Sequence, residues 1–222
     1  MRFQDAAPDA RAIVYAGVQR DPLVARLAEL LERATPPQSV LARAVMNGER
    51  ADPDVWRTMV PACFPDERSE AILAAALEVA DHGDQVRNQL RGAIVEAVTE
   101  RLLRRRAASS GDVRRERRVL FDGVRSEIHP YDVTLETPGA AEAYDCKWGA
   151  RGISADVLHQ LDDARRHADD EEQGLVVGLV VFDTRLACDV RLGRTSAPHE
   201  GIRLITIERL GALAEGLAGA PP

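Results

Sequence analysis

HPYDVTLETPGAAEAYDCKWG, His129 to Gly149, reads as two β-strands joined through Pro138-Gly139. If that dipeptide is the centre of a hairpin turn, Thr134 faces Ala143 and Glu136 faces Ala141. Asp132 then faces Asp145. Residues facing each other across an antiparallel pair have Cβ atoms about 4.5–5.5 Å apart. Lys147 is two residues beyond Asp145, so both project from the same face of the strand. Tyr144, Cys146 and Trp148 alternate with them and belong to the opposite, buried face. A slip of one residue would turn Asp132 away and disperse the group, so everything depends on this register.

Lys147 is notable in a second way. Of the 29 basic residues, 28 are arginine and only Lys147 is lysine. A chain this rich in arginine tolerates guanidinium groups widely. A single retained ammonium points to a position that needs a compact charge rather than a planar fork. Two carboxylates held close together repel, and a hard cation such as Mg²⁺ relieves the repulsion through oxygen ligands.

Working outward, the flanks alternate between helical and strand periodicity. Upstream, 84–106 (DQVRNQLRGAIVEAVTERLLRRR) has a helical apolar stripe and places Glu96 and Glu100 one turn apart. A polar loop covers 107–112, and 117–127 alternates as a strand. Downstream, 154–174 reads as a helix capped by Ser154 and ended by Gly174. The run GLVVGLVVFDT (174–184) suits a strand buried on both faces. LACDVRL (186–192) and RLITIE (203–208) read as further strands, and 207–219 as a weak terminal helix. Residues 1–90 read as helical throughout. DPLVARLAELLERA (21–34) is ended by Pro36-Pro37, and 39–48 is capped by Ser39. The stretch 52–64 has proline at its first helical position, and 69–83 is capped by Ser69. The expected organisation is an all-helical segment over 1–85 and an α/β domain over 86–222, with a mixed central sheet flanked by helices.

The central stretch resembles the PD-(D/E)XK nuclease superfamily. Pro130-Tyr131-Asp132, twelve intervening residues and then Asp145-Cys146-Lys147 are similar to its signature, with P-x-D in place of P-D as a departure. Gly92-Ala93-Ile94-Val95-Glu96 looks like its first-helix motif, and Gln160-Leu161 sits where many members carry a glutamine. The likeness covers roughly residues 84–184 and implies a restriction-endonuclease-like fold. It also implies roles. Asp132 and Asp145 would ligate Mg²⁺ (or Mn²⁺ in its place), helped by the main-chain carbonyl of Cys146. Glu96 would support the metal. Lys147 would position the attacking water and stabilise the phosphoryl transition state. Gln160 would orient Lys147 or touch the DNA backbone. The implied activity is endonucleolytic cleavage of DNA, in defence against foreign DNA or in repair. A non-catalytic scaffold or binding subunit on the same fold, and an RNase, are the alternatives.

Composition bounds these expectations. The net charge of −7 argues against tight stand-alone DNA binding, because phosphate contacts supply most such affinity. It is compatible with an enzyme that binds weakly, forms an oligomer or is delivered by a partner protein subunit, and duplex cleavage by one-strand sites would call for a homo-oligomer. Charge is uneven: residues 101–118 carry eight arginines against Asp112 and Glu116, a candidate lining for a DNA path. No apolar run is long enough to span a membrane, and the N-terminus lacks the apolar core of a secretory signal. Cys63, Cys146 and Cys188 form no metal-ligand spacing, which fits a reduced cytoplasmic setting. There is no G-x-x-x-x-G-K-[ST], no G-x-S-x-G and no H-E-x-x-H.

Overall fold

A computed structural model of the chain describes residues 1–7, 10–48, 52–107, 111–122, 124–125, 129–138 and 140–215. It divides into a sheet unit, residues 1–8 with 99–222, and a helical unit, residues 9–98. In chain order the elements are β1 (Arg2–Asp5), α1 (Ala10–Gln19), α2 (Pro22–Glu32), α3 (Pro36–Met46), α4 (Pro53–Cys63), α5 (Glu67–Ala80) and α6 (Asp84–Ala107). They continue with β2 (Asp112–Phe121), β3 (Val124–Arg125), β4 (Tyr131–Thr137), β5 (Ala140–Lys147), α7 (Ala155–Asp170), β6 (Leu175–Val181), α8 (Arg185–Leu192), β7 (Arg203–Ile205) and α9 (Ala212–Glu215).

The sheet unit is α/β. Its mixed sheet runs β1-β2-β4-β5-β6-β7, with β3 paired to β2. The pairs from β1 to β5 are antiparallel, and β5–β6 and β6–β7 are parallel. The hairpin register is the expected one: Thr134 pairs with Ala143 and Glu136 with Ala141. Gly139, half of the expected turn centre, lies outside the described residues. Parallel pairing of β5 with β6 needs a crossover, and α7 supplies it. One face of the sheet packs Ala141, Ala143, Val177 and Leu179 against Leu158, Leu161 and Ala164 of α7. On the other face Tyr144 is fully buried, and the Cys146 thiol donates to Thr99 Oγ1 at 3.5 Å. Each such fully buried large side chain contributes roughly 1.5–3 kcal/mol.

In the helical unit α5 packs against α2, α3 and α4. Val24, Leu27, Ile72 and Ala76 form its fully buried core. No helix among the described residues is long and apolar enough to cross a membrane.

Several expectations are corrected. Residues 2–5 are not helical: β1 pairs Arg2 with Leu120 and Asp5 with Arg117 at the sheet edge. Pro36-Pro37 does not merely end a helix but begins α3, because proline needs no partner for its missing N–H in a first turn. Ser39 is buried inside α3 rather than capping it, and Thr35 is the cap. Asp66, not Ser69, caps α5, accepting from Ser69 N at 2.9 Å. The strand over 117–127 starts earlier, at Asp112, in what read as loop.

The largest correction is 186–192, which forms helix α8 instead of a strand. Leu186, Cys188, Val190 and Leu192 alternate, which suggested period 2. In the structure Leu186 is 75% and Val190 48% exposed while Cys188 is fully buried. The true period is therefore four, not two. Thr184 caps the helix by accepting from Ala187 N at 3.3 Å, and Arg185 pairs with Asp189 one turn on at 2.7 Å. The terminal 207–219 helix is a 3₁₀ turn (Ile207–Arg209) followed by α9, and residues beyond 215 lie outside the described set.

Candidate active site

The described pairing of β4 with β5 ends at Val133–Tyr144, and one further step of the same register sets Asp132 opposite Asp145. There the ladder gives way to a side chain. The Cys146 amide donates to Asp132 Oδ2 at 2.6 Å, so this carboxylate takes the place of a main-chain acceptor. Asp145 and Lys147 share the α7 face of β5, in line with buried Ala141 and Ala143. The Lys147 ammonium forms an ion pair with Asp145 Oδ1. Asp145 is only 6% exposed. Asp132, Asp145, Cys146 and Lys147 are thus brought together.

Burial alone would push the Lys147 ammonium toward neutrality, but the Asp145 and then the Asp132 carboxylates outweigh it, and its pKa lies above the ordinary lysine value. Lys147 is therefore a fixed positive charge near neutral pH, suited to electrostatic stabilisation and unsuited to accepting a proton. The sign of the linkage follows. Its contribution to folding is fully present below the unfolded lysine pKa of about 10.4 and is lost as pH rises through the higher native value. Alkaline unfolding of the wild type above pH about 10.4 should therefore be steeper than that of Lys147→Met, as read by circular dichroism.

Two neighbours that carried no signal in the sequence hold this group. The chain after β5 makes a 3₁₀ turn, Ala150–Gly152. A Cβ on Gly152 would lie 2.9–3.1 Å from Cβ, Cγ and Cδ of Lys147, so the glycine gives the lysine stem its channel. Gly152→Ala is expected to displace the ammonium and lower any Lys147-dependent activity about tenfold or more, with a small change in Tm. Asp183, buried at the end of β6, accepts from Ala150 N at 3.0 Å and Thr184 N at 2.8 Å, pinning the same turn to the sheet.

Gln160 takes a different role from the one expected. Its Nε2 donates to His129 O at 3.1 Å and its Oε1 accepts from His129 N at 3.2 Å. The buried amide thus clamps the main chain three residues before Asp132 and is engaged there rather than with Lys147. Gln160→Leu removes both bonds to the His129 main chain. It should cost about 1–2 kcal/mol in urea unfolding.

Glu96 lies in the helical unit and is 4% exposed. Its carboxylate accepts from the Tyr15 hydroxyl at 2.5 Å and from Gln19 Nε2 at 2.8 Å. Gly92, one turn earlier, leaves room for that phenol: a Cβ there would sit 3.0 Å from the Tyr15 oxygen. Glu100 pairs with Arg104 at 2.6 Å and with Arg115. The arginine-rich stretch is largely occupied within the sheet unit. Arg106 pairs with Glu142, Arg114 with Asp112, and Arg117 with Asp5 and Glu136. These arginines serve the fold.

No group of three His, Cys, Asp or Glu side chains with metal-ligand geometry occurs among the described residues. The acid–lysine cluster offers two carboxylates and a neighbouring main-chain carbonyl. It carries one net negative charge, with Asp145 buried. That donor chemistry fits Mg²⁺, which commonly takes one or two carboxylates and keeps several waters.

No protein-family model matches the chain, and no curated protein does. Among solved structures, the crystal structure of protein VC1899 from Vibrio cholerae is similar at 17% identity and a TM-score of 0.48. The match covers 96% of this chain and 57% of that one, so this chain spans little more than half of that protein's length.

Proposed function

We propose that the chain is a metal-dependent nuclease of the restriction-endonuclease-like kind, cleaving phosphodiester bonds of DNA. The observation that carries this reading is the convergence of Asp132, Asp145 and the sole lysine, Lys147, at the open end of one hairpin. Asp132 and Asp145, with the Cys146 carbonyl, would hold Mg²⁺. When bound, the ion neutralises charge on a phosphoryl group and lowers the pKa of its water. Lys147 supplies a permanent positive charge to the scissile phosphate and holds a water by hydrogen bonding. The Asp132–Cys146 bond keeps the strand ends from closing over the site. Gln160 is a positioning residue, acting through the His129 main chain. Glu96 enters this reading as a buried acid, oriented by Tyr15 and Gln19, whose support of the metal is drawn from sequence resemblance alone.

Incubating the purified chain with supercoiled plasmid and with RNA, each with Mg²⁺ or EDTA, tests the proposal. Mg²⁺-dependent nicking of plasmid is expected. Cleavage of RNA alone would redirect the reading to a ribonuclease. No cleavage in any lane would leave the fold as a scaffold.

A further inference from the structure

Within 101–118, Arg104, Arg106, Arg114, Arg115 and Arg117 each hold an acid of the fold. The surface beside Lys147 differs. Residues 147–153 carry Lys147 and Arg151 and no acid, and residues 184–195 carry Arg185, Arg191 and Arg194 against Asp189 alone. Five bases stand against one acid there, in a chain of net charge −7. Asp189 is itself taken by Arg185 at 2.7 Å. The two segments pack on the sheet face that carries Asp145 and Lys147. Ala150 and Ile153 share one core with Ala187, Cys188 and Leu192 of α8 and with Ala141 and Ala143 of β5. The link to the lysine is direct. Gly152 lies against the Lys147 stem, and the carbonyl of Ile153 accepts from Arg191 Nε at 2.8 Å. That bond fixes the Arg191 guanidinium by its Nε and leaves both Nη groups for another acceptor. Arg151 and Arg191 are exposed, and neither makes an ion pair among the described residues. The dipole of α8 favours positive charge in its last turn, where Arg191 lies, but Arg151 belongs to no α-helix. Guanidinium forks match phosphate oxygens two at a time.

We propose that Arg151 and Arg191 hold backbone phosphates of the DNA strand, next to the phosphate that Lys147 faces. The strand then runs over the 3₁₀ turn and the end of α8 rather than along 101–118. The choice of DNA as ligand rests on the nuclease reading, whereas the binding itself requires no cleavage. Contacts of this kind read no bases, so they position a strand without selecting a sequence.

Fluorescence anisotropy of a labelled 20-nucleotide DNA, single-stranded and duplex, titrated with the full chain in EDTA at low salt tests this. At least one form should bind. Arg151→Gln and Arg191→Gln should each weaken that binding about tenfold. Each should also reduce the slope of log affinity against log salt by about one, whatever the base sequence. Arg104→Gln, whose arginine already holds Glu100, should bind as the wild type does. The Arg151 side chain makes no contact that its loss would break, so Arg151→Gln remains a test should Arg191→Gln unfold. In Mg²⁺, Arg151→Gln should raise KM for plasmid with kcat retained. A chain that binds through both arginines but never cuts keeps this proposal and loses the nuclease reading. A chain that cuts, while either variant keeps wild-type affinity and salt slope, keeps the nuclease reading and overturns this proposal. Failure of both forms of DNA to bind overturns it as well.

Discussion

Lys147→Met is expected to lower the single-turnover rate of plasmid cleavage by about 100- to 1,000-fold, the usual size for loss of one preorganised charge at a reacting group. The lysine is held by Asp145 and feels the field of Asp132, and it is charged at any working pH, so its removal takes away positive potential and no proton acceptor. Lys147→Arg should restore little, because a planar guanidinium is a different shape of donor from a compact ammonium. The same substitution also bears on stability. It strands the buried Asp145 carboxylate without its counter-charge. Since the Lys147 side chain is itself 26% exposed, the cost is set at about 2–3 kcal/mol rather than the higher figures for sealed pairs. Adding Asp145→Asn to Lys147→Met removes the stranded charge. The double variant should recover much of the lost Tm while remaining inactive. A double variant less stable than Lys147→Met would show that the pair is not coupled as described.

Asp132→Asn is expected to abolish Mg²⁺-dependent cleavage, by about 1,000-fold or more, at nearly unchanged stability. This side chain does two things. As an acceptor for the Cys146 amide it is structural, and asparagine retains an oxygen for that bond. As an anion facing Asp145 it is, on the proposed reading, a metal ligand, and asparagine does not replace the charge. Asp132→Ala loses both and should in addition cost about 1–2 kcal/mol in denaturant unfolding. Equal activity of Asp132→Asn and wild type in Mg²⁺ would remove Asp132 from the metal site while leaving its strand-end role intact.

The hairpin was legible because one periodicity and one turn dipeptide determine it. With Pro138-Gly139 as the centre of the turn, Thr134 pairs with Ala143 and Glu136 with Ala141, and the structure has that pairing. That register brings the acids and the lysine together whatever the rest of the fold does. Helix α6 and strand β6 were legible for similar reasons, the first by a long apolar stripe and the second by an unbroken apolar run. Other elements depended on partners remote in sequence. Arg2–Asp5 has no pattern of its own and becomes a strand because β2 offers it an edge more than a hundred residues later. In α8, the spacing of Leu186, Cys188, Val190 and Leu192 satisfies both periods. The decision falls to the Thr184 cap and the Arg185–Asp189 pair, which favour the helix. Within the candidate site, Gly152 and Asp183 carried no motif because their roles arise only when the parallel pairing of β5 and β6 brings the 3₁₀ turn against the end of β6. Gln160 was found by resemblance, yet its amide holds a main chain whose proximity no local pattern encodes.

On the proposed reading Asp132 and Asp145 share one divalent ion beside Lys147. A crystal of the chain soaked in Mn²⁺ and measured at the manganese absorption edge addresses it directly. An anomalous peak within about 2.0–2.4 Å of a carboxylate oxygen from each aspartate, absent from Asp132→Asn crystals treated alike, is the predicted result. Wild-type crystals with no peak at the hairpin, or with manganese bound only elsewhere, would contradict the account.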